Sequence, residues 1–137
     1  MKLHELKSSG TYVAVVPTPA TWALLEAWAA ENGVQLDQKL HTTLLFSRKV
    51  VGVELSKDEH HGMFTGFEVF RDKVVALLDA PSMIARHEQF IAQGGTHDYP
   101  DFQPHISLFD GNMGYGELKP IDFGMILGME YSEPLDL

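Results

Sequence analysis

The sequence contains no cysteine. That excludes disulfides, a thiol nucleophile and any thiolate zinc site. Positive charge is also scarce: ten Lys and Arg stand against 19 Asp and Glu, a formal net charge of −9. A chain with that field repels long polyanions unless a basic patch is set against it. Here the cations are scattered, and only Arg48-Lys49 and Arg71/Lys73 form small groups. No broad nucleic-acid footprint is expected. A compact pocket for a small anion is compatible with the same charge, because local donors outweigh total charge there. No apolar run approaches the length of about 18 residues that marks a membrane span. The opening MKLHELKSSG has no apolar stretch of the secretory kind. A cytoplasmic protein without membrane contact is expected. The glycine-rich GNMGYGELKP reads as a surface loop, since no helix follows it as in a phosphate-binding glycine motif.

What is present is enough for one folded unit. The chain has 137 residues, 45% of them hydrophobic, so a single domain over 1–137 with one core is expected. GTYVAVV (Gly10 to Val16) reads as a buried strand. TPATWALLEAWAAENG reads as a helix with Thr18 as cap, Pro19 at its first position and Gly33 at its end. Trp22, Leu25, Trp28 and Ala29 form its buried stripe. LHTTLLF is the next strand. The later chain repeats this order with KVVALLD, the helix APSMIARHEQFIAQGG and the strand PHISLF. A shift of about 62 residues places Val13 on Val75, Pro19 on Pro81, Trp28 on Phe90 and Gly33 on Gly95. Each half ends in a further strand, GMFTGFEVF (Gly62 to Phe70) and IDFGMILGMEY (Ile121 to Tyr131). The fold class is therefore α+β: two pseudo-symmetric β-α-β-β lobes, residues 10–71 and 72–132, with antiparallel sheets around a central cleft.

Each half carries one His-x-Ser/Thr-apolar stretch, HTTLLF from His41 and HISLF from His105. Strand alternation puts His41, Thr43 and Leu45 on one face and Thr42, Leu44 and Phe46 on the other. By the same rule His105, Ser107 and Phe109 share a face. Residues two apart on a strand lie about 6.5–7 Å apart, close enough for both to touch one phosphate. If the halves pair about an approximate two-fold axis, both His/hydroxyl pairs converge on the cleft. One imidazole then takes a proton from an attacking oxygen while the other, as imidazolium, gives one to the leaving oxygen. Histidine suits both tasks, with an ordinary pKa of about 6.5. The hydroxyls donate to the non-bridging oxygens as charge develops there. This chemistry calls for no metal and no cofactor.

The paired arrangement resembles the 2H phosphoesterase superfamily, and the resemblance runs from Tyr12 to about Tyr131. It implies a bilobal fold, a catalytic pair His41 and His105, and phosphate binding by Thr43 and Ser107. The early GTYVAVV strand, the YPDFQPHISL approach, the length and the acidic charge look most like phage anti-CBASS proteins. That likeness implies a phosphodiesterase acting on small cyclic di- and trinucleotide messengers in the host cytoplasm. It also implies aromatic side chains that hold the bases: Tyr12 and Phe67 at corresponding points, with Tyr99 and Phe102 in the approach to the second motif as further candidates. The substrate partner is then a small cyclic oligonucleotide. A 2H enzyme opening 2′,3′-cyclic phosphates at RNA ends, or a protein that sequesters a nucleotide without turnover, stands as the alternative. The sequence leaves the oligomeric state open.

Other residues read as structural. His60-His61 is expected in a solvated loop, since neighbours on a strand face opposite ways and no third ligand stands at a metal-binding spacing. His87 falls on the position of Leu25, so packing is its expected role. Trp22 and Trp28 are expected in the core.

Overall fold

The computed structural model describes residues 8–97 and 101–136. Tyr99, a base-stacking candidate, lies outside the described residues. The chain runs β1 (Ser8–Pro17), α1 (Pro19–Asn32), β2 (Thr42–Ser47), β3 (His60–Phe70), β4 (Lys73–Asp79), α2 (Pro81–Ala92), β5 (His105–Asp110), a 3-10 turn (Gly111–Met113) and β6 (Met125–Asp136). The helices start where proline fixes the backbone for a first turn. Thr18 caps α1 by accepting from the Thr21 N–H at 3.3 Å, and Gly33 ends it at φ 64°. At the end of α2 the left-handed residue is Gly94, at φ 102°, and not Gly95. Gly95 is constrained instead by contact, because a Cβ there would fall 2.9 Å from the Phe90 carbonyl oxygen.

All strand pairs are antiparallel, and they form one six-stranded sheet in the order β2-β1-β6-β3-β4-β5 where two sheets were expected. The join is short. Met125–Leu127 at the start of β6 pair with His60–Gly62 at the start of β3, and the rest of β6 runs along β1. The final strand of each sequence half thus lies beside the first strand of the other half. The chain just before β2 meets the opposite edge of the sheet. The Asp37 N–H donates to the Leu108 carbonyl of β5 at 2.8 Å, and Lys73 of β4 holds the Asp37 carboxylate at 3.0 Å.

Both helices pack through Leu25, Trp28, Met83 and Phe90 onto one face of this sheet. In β4 the two-residue period is plain: Val74, Ala76 and Leu78 enter that core, while Val75 and Leu77 line a cavity on the opposite face. Val13 faces the helices, yet its 62-residue counterpart Val75 faces the cavity. The repeat holds for the helices and slips by an odd number between β1 and β4, which inverts the side chains there, whereas β2 and β5 slip by two and His41 and His105 keep the same face. Trp22 is only half-buried, unlike fully packed Trp28, whose indole donates to the Lys119 carbonyl at 2.8 Å.

His60 and His61 do not lie in a solvated loop. They open β3, paired with Leu127 and Ile126. His60 is buried with its Nδ1 2.8 Å from the Ser82 hydroxyl, and burial pushes its pKa below the ordinary histidine value. β6 begins later than expected and runs further. It contains a bulge, since Ala14 pairs with Tyr131 but Val16 with Gly128, and Met129 sits there at φ 56°. The bulge turns Glu130 inward. Its fully buried carboxylate takes bonds from Arg86 Nε at 2.7 Å, Arg86 Nη2 at 2.9 Å and the Ser56 N–H at 2.9 Å.

Candidate active site

The two histidine motifs lie on β2 and β5, which are the edge strands of the sheet. Each carries a bulge one residue after its hydroxyl. Val13 pairs with Leu45 and Ala14 with Thr43, so Leu44 is the extra residue in β2. Val74 pairs with Phe109 and Val75 with Ser107, so Leu108 is the extra residue in β5. A bulge breaks simple alternation. Leu44 and Leu45 are both buried, as are Leu108 and Phe109. This corrects the expected faces. Leu45 and Phe109 leave the histidine face for the core, and Phe46 is turned back onto the face of His41 and Thr43.

A cavity of about 670 Å³ collects these groups. Tyr12, His41, Thr43 and Phe46 form one side, and Val75, Leu77 and His105 the other. Glu68, Phe70 and Arg71 come from the β3–β4 hairpin, Arg48 from the end of β2, and His97, Asp101, Phe102 and Gln103 from the approach to β5. Of the expected site residues, the cavity brings together His41, His105, Thr43, Tyr12 and Phe102. Ser107 lies on β5 opposite Val75 and is half-buried, but it is not among the lining residues. Phe67 is not in the cavity: its ring stacks on Trp28 at 5.7 Å and contacts Phe64 at 4.6 Å, on the helix side of β3. Alternation explains the miss, because Glu68 and Phe70 take the cavity face and Phe67 the opposite one.

The histidines are held alike. His41 Nδ1 lies 3.2 Å from the Lys39 carbonyl, and His105 Nδ1 lies 2.9 Å from the Gln103 carbonyl. A carbonyl only accepts, so each Nδ1 carries the proton and Nε2 is left for the cavity. A neutral ring then offers a lone pair at Nε2, and a charged ring offers an N–H there. Each imidazole also has an aromatic neighbour, Tyr12 at 6.3 Å from His41 and Phe70 at 6.4 Å from His105, between ring centroids. The Tyr12 hydroxyl is 3.0 Å from the Thr43 hydroxyl. Burial pushes the Tyr12 phenol up to about 12, so it stays protonated across the working range of an imidazole. Burial also raises the Tyr131 phenol, whose ring is 6.2 Å from that of Tyr12.

Sequence reasoning missed Phe46, Phe70, Arg48, Arg71 and Glu68. Phe70 and Arg71 sit at a two-residue hairpin turn in which Arg71 (φ 49°) and Asp72 (φ 65°) are both left-handed. Such a turn normally takes Asn or Gly, so no local signal announced it. The Gly111 N–H supports it by donating to the Asp72 carbonyl at 2.7 Å. The Arg71 guanidinium stands 5.4 Å over the Phe70 ring. Among the described residues no group of three or more His, Asp or Glu is placed to hold a metal ion, and no helix is long and apolar enough to cross a membrane.

The protein has an α+β fold, an antiparallel sheet whose two edge strands bring His41 and His105 to one cavity. Its relatives give the family. The family model "Anti-CBASS protein Acb1" matches residues 9–137. Proteins of that name are 34% identical in Vibrio phage KVP40 and 34% identical in Acinetobacter phage Ac42, covering all of this chain and 95% and 97% of theirs. The one from Salmonella phage S16 is 32% identical over all of this chain and 95% of its own length. The chain belongs to the anti-CBASS protein Acb1 family.

Proposed function

We propose that this protein is a phage phosphodiesterase that opens cyclic di- and trinucleotide messengers and so counteracts CBASS signalling in the host cytoplasm. The single observation that carries the reading is the matched pair of histidines. His41 and His105 face one cavity, each with Nδ1 tied to the carbonyl two residues earlier. That tie leaves both Nε2 atoms for proton transfer. The neutral ring takes the proton of the attacking oxygen, phosphorus–oxygen bond formation follows, and the charged ring protonates the leaving oxygen. Thr43, on the cavity wall, donates a hydrogen bond to a non-bridging phosphate oxygen. Tyr12 presents its ring to a base.

The strand order supports a bilobal reading. About the β6–β3 contact, β2 answers to β5 and β1 to β4, and the bulges at Leu44 and Leu108 answer to each other. Cavity size favours a compact ligand. About 670 Å³ falls within the roughly 300–1,000 Å³ of small-molecule sites, and its lining sets Arg48 and Arg71 beside the carboxylates of Glu68 and Asp101. The test is incubation with a panel of 3′,5′-cyclic di- and trinucleotides beside a 2′,3′-cyclic-phosphate RNA end, followed by mass analysis. Linear products from the cyclic oligonucleotides, absent in His41→Ala and His105→Ala, are expected. Intact recovery of every cyclic oligonucleotide after long incubation overturns the reading in favour of sequestration, and cleavage of the RNA end alone overturns it in favour of RNA processing.

A further inference from the structure

We infer that His87, a buried residue of α2 outside the cavity, is a positioning residue for the His41–Thr43–Phe46 wall. The inference rests on the phosphodiesterase reading for its kinetic consequence and on geometry for the rest. A bulge leaves its extra residue out of the ladder, so its carbonyl must be satisfied from elsewhere. In β5 the backbone does this, as Asp37 N–H donates to the Leu108 carbonyl at 2.8 Å. In β2 a side chain does it. His87 Nδ1 lies 2.6 Å from the Leu44 carbonyl, in a bond shielded from solvent. The acceptor is a carbonyl, so the ring is bound as its Nδ1–H form. Leu44 is fully buried, and water cannot replace the donor.

The Leu44 bulge is what puts Phe46 on the same face as His41 and Thr43. Strict alternation would send Phe46 to the core. His87 therefore fixes the register on which one side of the cavity depends. It also reaches the opposite wall. Its ring stacks on Phe102, a cavity-lining residue, at 4.1 Å and 10° between planes. The same segment is bonded to the end of β2, with Thr96 N–H donating to the Ser47 hydroxyl at 3.0 Å and Arg48 N–H to the Thr96 hydroxyl at 3.0 Å. One imidazole thus links the motif strand to the loop that approaches β5: its Nδ1–H holds the bulge, and its ring face braces Phe102.

These two tasks separate in variants. His87→Phe keeps a ring and loses the donor. His87→Asn keeps an N–H near the Nδ1 position and loses the ring. In the full-length protein, with a cleavable cyclic dinucleotide, His87→Phe is expected to lower kcat by roughly 10- to 100-fold, the scale of a small misplacement of reacting groups, with KM little changed. His87→Asn is expected to keep kcat near that of the wild type and to raise KM through the loosened Phe102 wall. Phe90→Leu, a core change on the same helix, supplies the control for mere destabilisation and leaves kcat unchanged in the folded protein. Wild-type kcat in His87→Phe, or a kcat in His87→Asn as low as in His87→Phe, overturns the inference. Amide hydrogen exchange over residues 42–47 reads the bulge without turnover, as slow exchange in the wild type and His87→Asn and fast exchange in His87→Phe. If the wild type cleaves no cyclic oligonucleotide, the functional reading fails and the exchange data still decide for or against His87. Should His87→Phe fail to fold, the comparison of His87→Asn with His87→Ala decides: equal kcat or equal exchange in the two overturns the inference.

Discussion

Tyr12→Phe removes one oxygen from the centre of the site and leaves the ring. The phenol has two roles to distinguish, a chemical one and a structural one. As a proton donor it competes with an imidazolium, and a phenol held up at about 12 by burial is the far weaker acid. Its remaining contribution is the 3.0 Å bond to the Thr43 hydroxyl and an interaction with the Tyr131 hydroxyl, together with ring contacts to His41, Phe46 and Tyr131. The ring contacts survive in phenylalanine. A neutral hydrogen bond of this kind contributes about 0.5–1.5 kcal/mol net. If Thr43 orients a phosphate oxygen, losing that bond lowers kcat/KM by roughly 2- to 13-fold, at about 1.36 kcal/mol per decade. Removing an acid–base imidazole costs about 10²–10⁴-fold. The assay is steady-state cleavage of a cyclic dinucleotide by Tyr12→Phe beside Thr43→Val and the double variant. Thr43→Val should match or exceed the single tyrosine change, and the double should fall short of additive because the two share one bond. A loss of 100-fold or more in folded Tyr12→Phe would falsify the argument, because a hydrogen bond of that kind does not reach such a size.

His41→Ala and His105→Ala are each expected to lower kcat by about 10²–10⁴-fold, with the folded state retained by circular dichroism, and the wild-type rate should follow a bell-shaped pH profile that each variant abolishes. Glu130→Gln breaks the ion pair between a fully buried carboxylate and the partly exposed Arg86 and should destabilise by about 1–3 kcal/mol, whereas the double change Glu130→Met with Arg86→Met should recover most of that loss in denaturant unfolding. His60 has its pKa lowered by burial, so the unfolded chain binds its proton more readily than the fold does. The stability it supports is complete above the unfolded value of about 6.5 and is lost as pH falls below it. A Tm series from pH 7.5 to 5 should therefore decline less steeply in His60→Asn, and an unchanged slope would count against a buried neutral imidazole.

The helices were legible because their signals are local and redundant. Thr18, Pro19 and Gly33 mark one helix, and Pro81 answering to Pro19 with Phe90 answering to Trp28 marks the other. Strands β1 to β5 were legible from their composition, and β4 appears with the expected limits. Sheet order was not legible, since the β6–β3 pairing depends on contacts between residues near 60 and near 126. The repeat drew attention to His41, Thr43 and His105, and the family resemblance to Tyr12; all four line one cavity. Phe67 could not be rejected in advance, because choosing between it and Phe70 requires knowing which face of β3 meets the helices. Arg71 reached the cavity through a turn whose left-handed residues, Arg71 and Asp72, look nothing like Asn-Gly.

The bulges explain the form of the motif itself. An unbroken strand that shows a histidine and a hydroxyl to the cavity can bury only every second residue behind them. HTTLLF and HISLF each place two large apolar residues in succession, Leu44-Leu45 and Leu108-Phe109, and all four are buried. Regular alternation cannot accommodate that, and a bulge can. The apolar tail of the motif is therefore a register device as well as a core anchor: it ends the alternation at the residue after the hydroxyl. In β2 this returns Phe46 to the cavity, and in β5 it withdraws Phe109. Replacing Leu45 with threonine should weaken the drive to bury both positions and let β2 revert to simple alternation. The consequence to look for is slowed turnover and faster amide exchange at residues 44–46, as in His87→Phe, while Leu44→Met, which keeps an apolar side chain at the bulge, leaves both near wild type. If Leu45→Thr keeps the slow exchange of residues 44–46, the bulge is held by His87 alone and the paired apolar residues serve only the core.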